Sequence, residues 1–176
     1  MSLTDFIMGY DERQARRWHA KQERRGTPLP AWRTPQRQRL LIGTYFGALS
    51  VSFIAAIGVF FSLPFIWLWI FTTLISFGSW CILRETIDHK DFAPAAVLDE
   101  YENQVLNTWR SLAFGLCTSI LPLLACALGV LSVLDSANLS RWLFSLALLT
   151  ASTGFLIGML PAVGYSLAFH TSDPKE

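Results

Sequence analysis

Charge is what this sequence has least of. Only 15% of its 176 residues are Asp, Glu, Lys or Arg, against roughly 25% in ordinary soluble domains. Hydrophobic residues make up 52% and mean hydropathy is +0.39, a composition that excludes an intrinsically disordered chain and disfavours a soluble enzyme. Cysteine is sparse too. Cys81, Cys117 and Cys126 all fall in apolar stretches without a CxxC spacing, so they read as small apolar fillers rather than as a disulfide or metal set. No catalytic triad, phosphate loop or HExxH pattern is present.

The charge that exists is segregated. Residues 1–39 hold nine of the fourteen Lys and Arg, and four long apolar runs follow. They cover 40–61, 65–83, 111–134 and 142–169, each long enough for a bilayer core that takes about 20 helical residues. Backbone groups in lipid must be satisfied within the segment, so all four are expected to be helices. The fold expected is therefore an all-α membrane protein of four transmembrane helices. Residues 1–39 form a basic amphipathic tail and linker, 40–169 the membrane domain, and 170–176 a short C-terminal tail.

Connections alternate in character. The first is Ser62-Leu63-Pro64, uncharged. The second, 84–110, is long and charged, and the third, 135–141, is short. An N-in, C-in arrangement places thirteen of the fourteen basic residues inside, as the positive-inside rule requires. Trp67, Trp69 and Trp142 would then mark the outer interface, and Tyr45, Trp80, Trp109 and Tyr165 the inner one. The N-terminus does not read as a cleaved signal, since its first long apolar run starts only at Leu40.

No Asp, Glu, Lys, Arg or His lies inside these spans. Pumps and proton-coupled carriers place such a residue at depth, so this chain alone is not expected to be one. Small residues are more informative. Gly43, Gly47 and Gly58 line one face of the first span with Ser50 and Ile54, and Gly154, Gly158, Ala162 and Ser166 line the fourth. Such stripes let a second backbone approach closely, either within the bundle or on another integral protein. Pro122 and Pro161 are expected to kink the third and fourth spans.

Residues 3–25 can form a helix, with Ser2 and Thr4 as candidate N-caps and Gly26 as its stop. Arg13, Arg16, Arg17, Lys21, Arg24 and Arg25 make it basic, suited to anionic lipid headgroups or to an acidic protein surface. Asp11, Glu12 and Glu23 interrupt the run, and no nucleic-acid partner is expected. Pro28, Pro30 and Pro35 make an extended linker. The 84–110 loop is net negative, and the basic tail is expected to fold over it. Within it Pro94 suits a first helical turn with Asp91 as cap, and Val97, Tyr101, Val105 and Trp109 repeat every four residues, widened by Leu98 and Leu106. One helix is expected from about Ala95 into the third span, its stripe covered by the tail or by a partner.

Glu85, Asp88, His89 and Asp91 are the one cluster resembling a site. Carboxylates with one imidazole suit a divalent cation. A solvated, charge-rich helix end and turn accounts for them better and is the reading adopted, with no metal or other cofactor expected. The Asn138-Leu139-Ser140 sequon, in a short loop close to lipid, reads as chance.

The stretch Leu98-Asp99-Glu100-Tyr101-Glu102-Asn103-Gln104-Val105, then Trp109-Arg110 and a membrane span, resembles an LDER-type stretch. Small bacterial multipass inner-membrane proteins of actinobacterial type, whose function is unknown, carry it before a membrane helix. Tyr101 stands where the pattern has Arg, and the basic residues that follow it are mostly missing. The resemblance implies a bacterial inner-membrane protein and no activity.

Together these features lead to an expected function that is non-catalytic: an accessory or assembly subunit bound laterally to a larger membrane complex, with a respiratory assembly the most concrete candidate. One alternative is a membrane-anchored regulator that sequesters a cytoplasmic partner. Another is a metal-dependent membrane enzyme or carrier built on the acidic cluster.

Overall fold

The structure is a computed structural model that describes residues 13–20, 32–133 and 138–169. Four long helices dominate it: α1 (Pro35–Phe61), α2 (Phe65–Thr86), α3 (Glu100–Val133) and α4 (Leu139–Phe169). Each is long and apolar enough to cross a membrane. The shortest, with 22 residues, is about 33 Å long, enough for a hydrocarbon core of about 30 Å. No strand occurs among the described residues. Residues 13–20 are also helical.

Helix boundaries differ from those expected, for local reasons. α1 begins at Pro35 rather than Leu40, and Pro35 belongs to the helix rather than to the linker. Its missing N–H costs nothing in a first turn, and its fixed φ suits a helix start. Thr34 precedes it in an extended conformation (φ −77°, ψ 140°), and the Thr34 carbonyl accepts from Gln38 N at 3.1 Å. α3 starts at Glu100, not near Ala95. Residues Ala95–Val97 form a separate 3-10 turn, and Pro94 before it is extended. The cap is Asp99, not Asp91. Asp99 Oδ1 accepts from the Glu102 backbone N–H at 2.6 Å, while the Asp99 N–H donates to Glu102 Oε2 at 3.4 Å. This reciprocal pair is a capping box in which both residues are acidic. α3 and α4 continue through Pro122 and Pro161.

The helices divide into a three-helix core and a flank. α1 lies along both α2 and α4, and α3 packs chiefly on α4. Leu41, Ile42, Tyr45 and Leu49 of α1 meet Leu83 of α2 and Met159 and Val163 of α4 in the main buried cluster. At one end Ala56, Val59 and Leu148 form a second cluster. At the other, Ile87, Leu106, Ala162 and Tyr165 form a third. The only buried residues of α3 are Glu102 and Leu106, both in its first two turns. None of its apolar span is buried.

Hydroxyls tie the core helices together. Ser52 pairs with Thr72 at 2.7 Å and Thr73 at 3.1 Å, the Trp69 indole donates to Ser152 at 3.0 Å, and Ser145 donates to the Ala56 carbonyl. Tyr45 OH donates to the Phe155 carbonyl at 3.0 Å. Such interhelical bonds average about 0.6 kcal/mol each in membrane proteins. They also alter the expected aromatic belt. Trp69 turns inward, and Tyr45 and Tyr165, each 1% exposed, belong to the core.

The α1–α2 turn closes because Gly58 has no side chain. The Phe65 ring lies over it, and a Cβ there would stand 2.8 Å from the ring. Ser62 N donates to the Gly58 carbonyl at 2.9 Å.

Candidate functional site

One end of the bundle carries nearly all the described charge. α2 ends at Thr86, and the chain turns through Asp88 and His89, both left-handed (φ 54° and 56°). This turn and the 3-10 turn Lys90–Phe92 fold back over the ends of α3 and α4. The sharp reversal brings together groups that are far apart in sequence.

At its centre is Glu102, 8% exposed. Its Oε1 accepts from both Lys90 Nζ and Tyr165 OH. Asp91, 3% exposed, pairs with Arg84 through Oδ2 at 3.2 Å, and Arg110 donates to the Asp91 carbonyl at 2.8 Å. Burial pushes the Asp91 carboxyl above its ordinary value, an effect that the Arg84 charge and hydrogen bond offset in part. The Arg84 guanidinium lies 4.1 Å from the Phe92 ring centroid and 5.1 Å from that of Trp80. Arg33 pairs with Asp88. Beneath this layer, Gln38, Thr86 and Ser166 are fully buried, and Gln38 Nε2 stands 3.4 Å from Thr86 Oγ1.

The proposed cation cluster is therefore dispersed. Asp88 faces Arg33 and Asp91 faces Arg84, while Glu85 contacts the His89 imidazole at 2.9 Å. Among the described residues, no three His, Cys, Asp or Glu side chains converge as a metal site would need. The cysteines Cys81, Cys117 and Cys126 are free thiols.

The stripe on α3 meets α4. The Trp109 ring lies on Gly164, where a Cβ would stand 2.2 Å from it. Tyr101, though 61% exposed, touches the Phe169 ring edge-on at 5.4 Å. Val97 and Val105 are half-buried. The chain itself thus supplies part of the cover expected from the tail or a partner. Of the basic tail residues, Arg13, Arg16 and Arg17 are exposed on the short helix, and Lys21, Arg24 and Arg25 lie outside the described residues.

The glycines separate into two groups. Gly58 is packed, as are Ala162 and Ser166 at 1% and 0% exposure. Gly43, Gly47, Gly154 and Gly158 are exposed, with no neighbouring atom within 4 Å of where a Cβ would be. Gly154 and Gly158 floor an apolar groove of about 410 Å³ between α2 and α4, walled by Phe77, Trp80, Phe155 and Met159. α2 and α4 touch only lightly.

Sequence reasoning missed Glu102, Lys90 and Tyr165 as a unit, and Gly164 as the seat of Trp109. The Asp99-x-x-Glu102 spacing was a visible signal for the cap. Nothing in the spacing signalled Tyr165, 63 residues beyond Glu102.

No protein-family model, curated protein or solved structure matches this chain. Fold and site define its class by themselves: a helical protein with four helices long and apolar enough to span a membrane, closed at one end by an ion-paired cap.

Proposed function

We propose that this chain is a non-catalytic integral-membrane subunit that binds laterally to another integral membrane protein. The observation that carries the reading is the groove floored by Gly154 and Gly158. Lipid tails are as apolar as leucine, so helices gain nothing hydrophobic by associating in a bilayer. They associate through close packing, which small residues permit. Here two glycines one turn apart lie open between aromatic walls, wide enough for a partner backbone to approach. Gly43 and Gly47 offer a second such face on α1. The charged groups at the capped end are largely taken up by one another, which favours a structural over a catalytic role for that end. A respiratory assembly is the concrete candidate for the complex.

The orientation proposed is N-in and C-in, in a bacterial inner membrane. The support is the nine Lys and Arg of residues 1–39 and the three of the otherwise acidic 84–110 connection, which lie on the same side of a four-span chain.

Gentle detergent extraction at native expression, followed by size exclusion and mass spectrometry, tests the function. The expected result is a large assembly with other integral subunits, lost when Gly154→Leu and Gly158→Leu are combined. A small particle holding this chain alone overturns the reading.

A further inference from the structure

At the end of the bundle away from the ion pairs, α3 does not close on the pair formed by α1 and α4. They leave a groove of about 490 Å³ lined by Ile57 and Phe61 of α1, Ala127 and Leu131 of α3, and Trp142 and Leu146 of α4. Ser145 also lines it, but its hydroxyl is already donated to the Ala56 carbonyl. Among the described residues, no charged side chain lines the groove.

Water is a poor occupant, because it needs two to four polar partners. The volume falls within the roughly 300–1,000 Å³ of small-molecule sites. Polarity at the mouth is lopsided. Arg141 directly precedes Trp142 and lies one helical turn before Ser145, so its Cα shares the Ser145 face of α4. It is exposed, and it is the one basic residue at this end among the described residues. Asp135, in the same connection, lies outside them. An apolar slot with one basic residue on the adjoining turn of α4 complements a molecule with a hydrocarbon chain and an anionic head.

We propose that this groove holds one acyl chain of an anionic phospholipid from the surrounding bilayer, with its phosphate on Arg141. The proposal rests on the bundle lying in a bilayer and is independent of the lateral-subunit reading. A bilayer presents such chains at high concentration, and a preformed slot adds packing on three sides.

The test is native mass spectrometry of the full chain after reconstitution in equimolar phosphatidylglycerol and phosphatidylcholine. One retained lipid per chain is expected, predominantly phosphatidylglycerol. Arg141→Gln should lower the ratio of the two retained lipids about fivefold, the share of one basic residue near a membrane surface. Ala127→Trp, whose indole fills the slot, should lose retained lipid of both kinds while keeping the wild-type thermal midpoint. If that variant does not fold, the Arg141→Gln ratio decides alone. Equal retention of the two lipids by the wild-type chain overturns the proposal. So does lipid retention unchanged in a folded Ala127→Trp, or a second polypeptide retained in place of lipid.

Discussion

Glu102 joins three parts of the chain through one carboxylate: the Lys90 turn, its own helix and Tyr165 on α4. Removing it takes that carboxylate away from a buried phenol and an ammonium. Loss of an acceptor under such conditions costs about 1–3 kcal/mol. Glu102→Ala should lower stability by that amount in a denaturation titration, and Glu102→Gln, which keeps an acceptor oxygen, by less. A Glu102→Ala cost unchanged by prior Tyr165→Phe would show that the two side chains are uncoupled. Gly164 permits a different test. Gly164→Ala puts a methyl into the Trp109 ring and should cost about 1–3 kcal/mol by overpacking, part of it recovered by adding Trp109→Ala. Asp91 gives the pH dependence. Its folded-state pKa is raised, so the folded chain holds that proton more tightly than the unfolded one. Its contribution is fully present below the ordinary carboxylate value of about 3.9 and is lost as pH rises through the raised folded value. Asp91→Asn should therefore show a smaller decline in thermal midpoint than the wild type over that interval, whatever the other carboxylates add to both.

The element whose packing departs furthest from a closed bundle is α3. It is the longest helix and the least buried, resting on α4 through its first turns and Trp109. Its start depends on the Asp99–Glu102 box, so Asp99→Ala should cost about 1 kcal/mol in the same titration and fray α3 toward Leu106, visible as faster amide exchange there. An unchanged exchange rate would assign the start to packing instead. The existence of all four helices was legible in the sequence, because an apolar run long enough to span a bilayer admits few other structures. Their starts were less so. At Pro35 one residue type serves both linker and helix start, and Asp91 and Asp99 compete as caps for the helix that follows. At the charged end Asp88 and Asp91 stood out in the sequence, but not the pairs they form or the unit around Glu102. Lys90, Glu102 and Tyr165 meet only because two left-handed residues, Asp88 and His89, reverse the chain, and neither type signals that conformation reliably. The glycine stripes were visible as stripes. Which half of each faces the bundle depended on where α1, α2 and α4 came to lie.

For the whole molecule, sidedness separates the readings most sharply, because it fixes which surfaces a partner or lipid can reach. α2 spans between the Ser62–Pro64 turn and the charged cap, so these two sites must lie on opposite sides of any membrane the bundle crosses. Asn138, at the start of α4, shares a side with Leu63, because α4 meets the end of α1 through Ser145 and Ala56 and reaches the cap through Tyr165. The orientation proposed above, drawn from the basic residues of 1–39, puts the Glu100 end on the cytoplasmic side. A variant with Cys81, Cys117 and Cys126 replaced by alanine can carry one new thiol at Leu63, Asn138 or Glu100, all exposed positions. In intact bacterial cells a membrane-impermeant maleimide should label Leu63→Cys and Asn138→Cys but not Glu100→Cys, and should label all three after lysis. The reverse pattern would turn the protein over, moving both the Arg141 groove and the ion-paired cap to the other leaflet. Labelling of Leu63→Cys without Asn138→Cys would mean that α4 does not cross alongside α1, against the Ser145–Ala56 bond that joins them near that end.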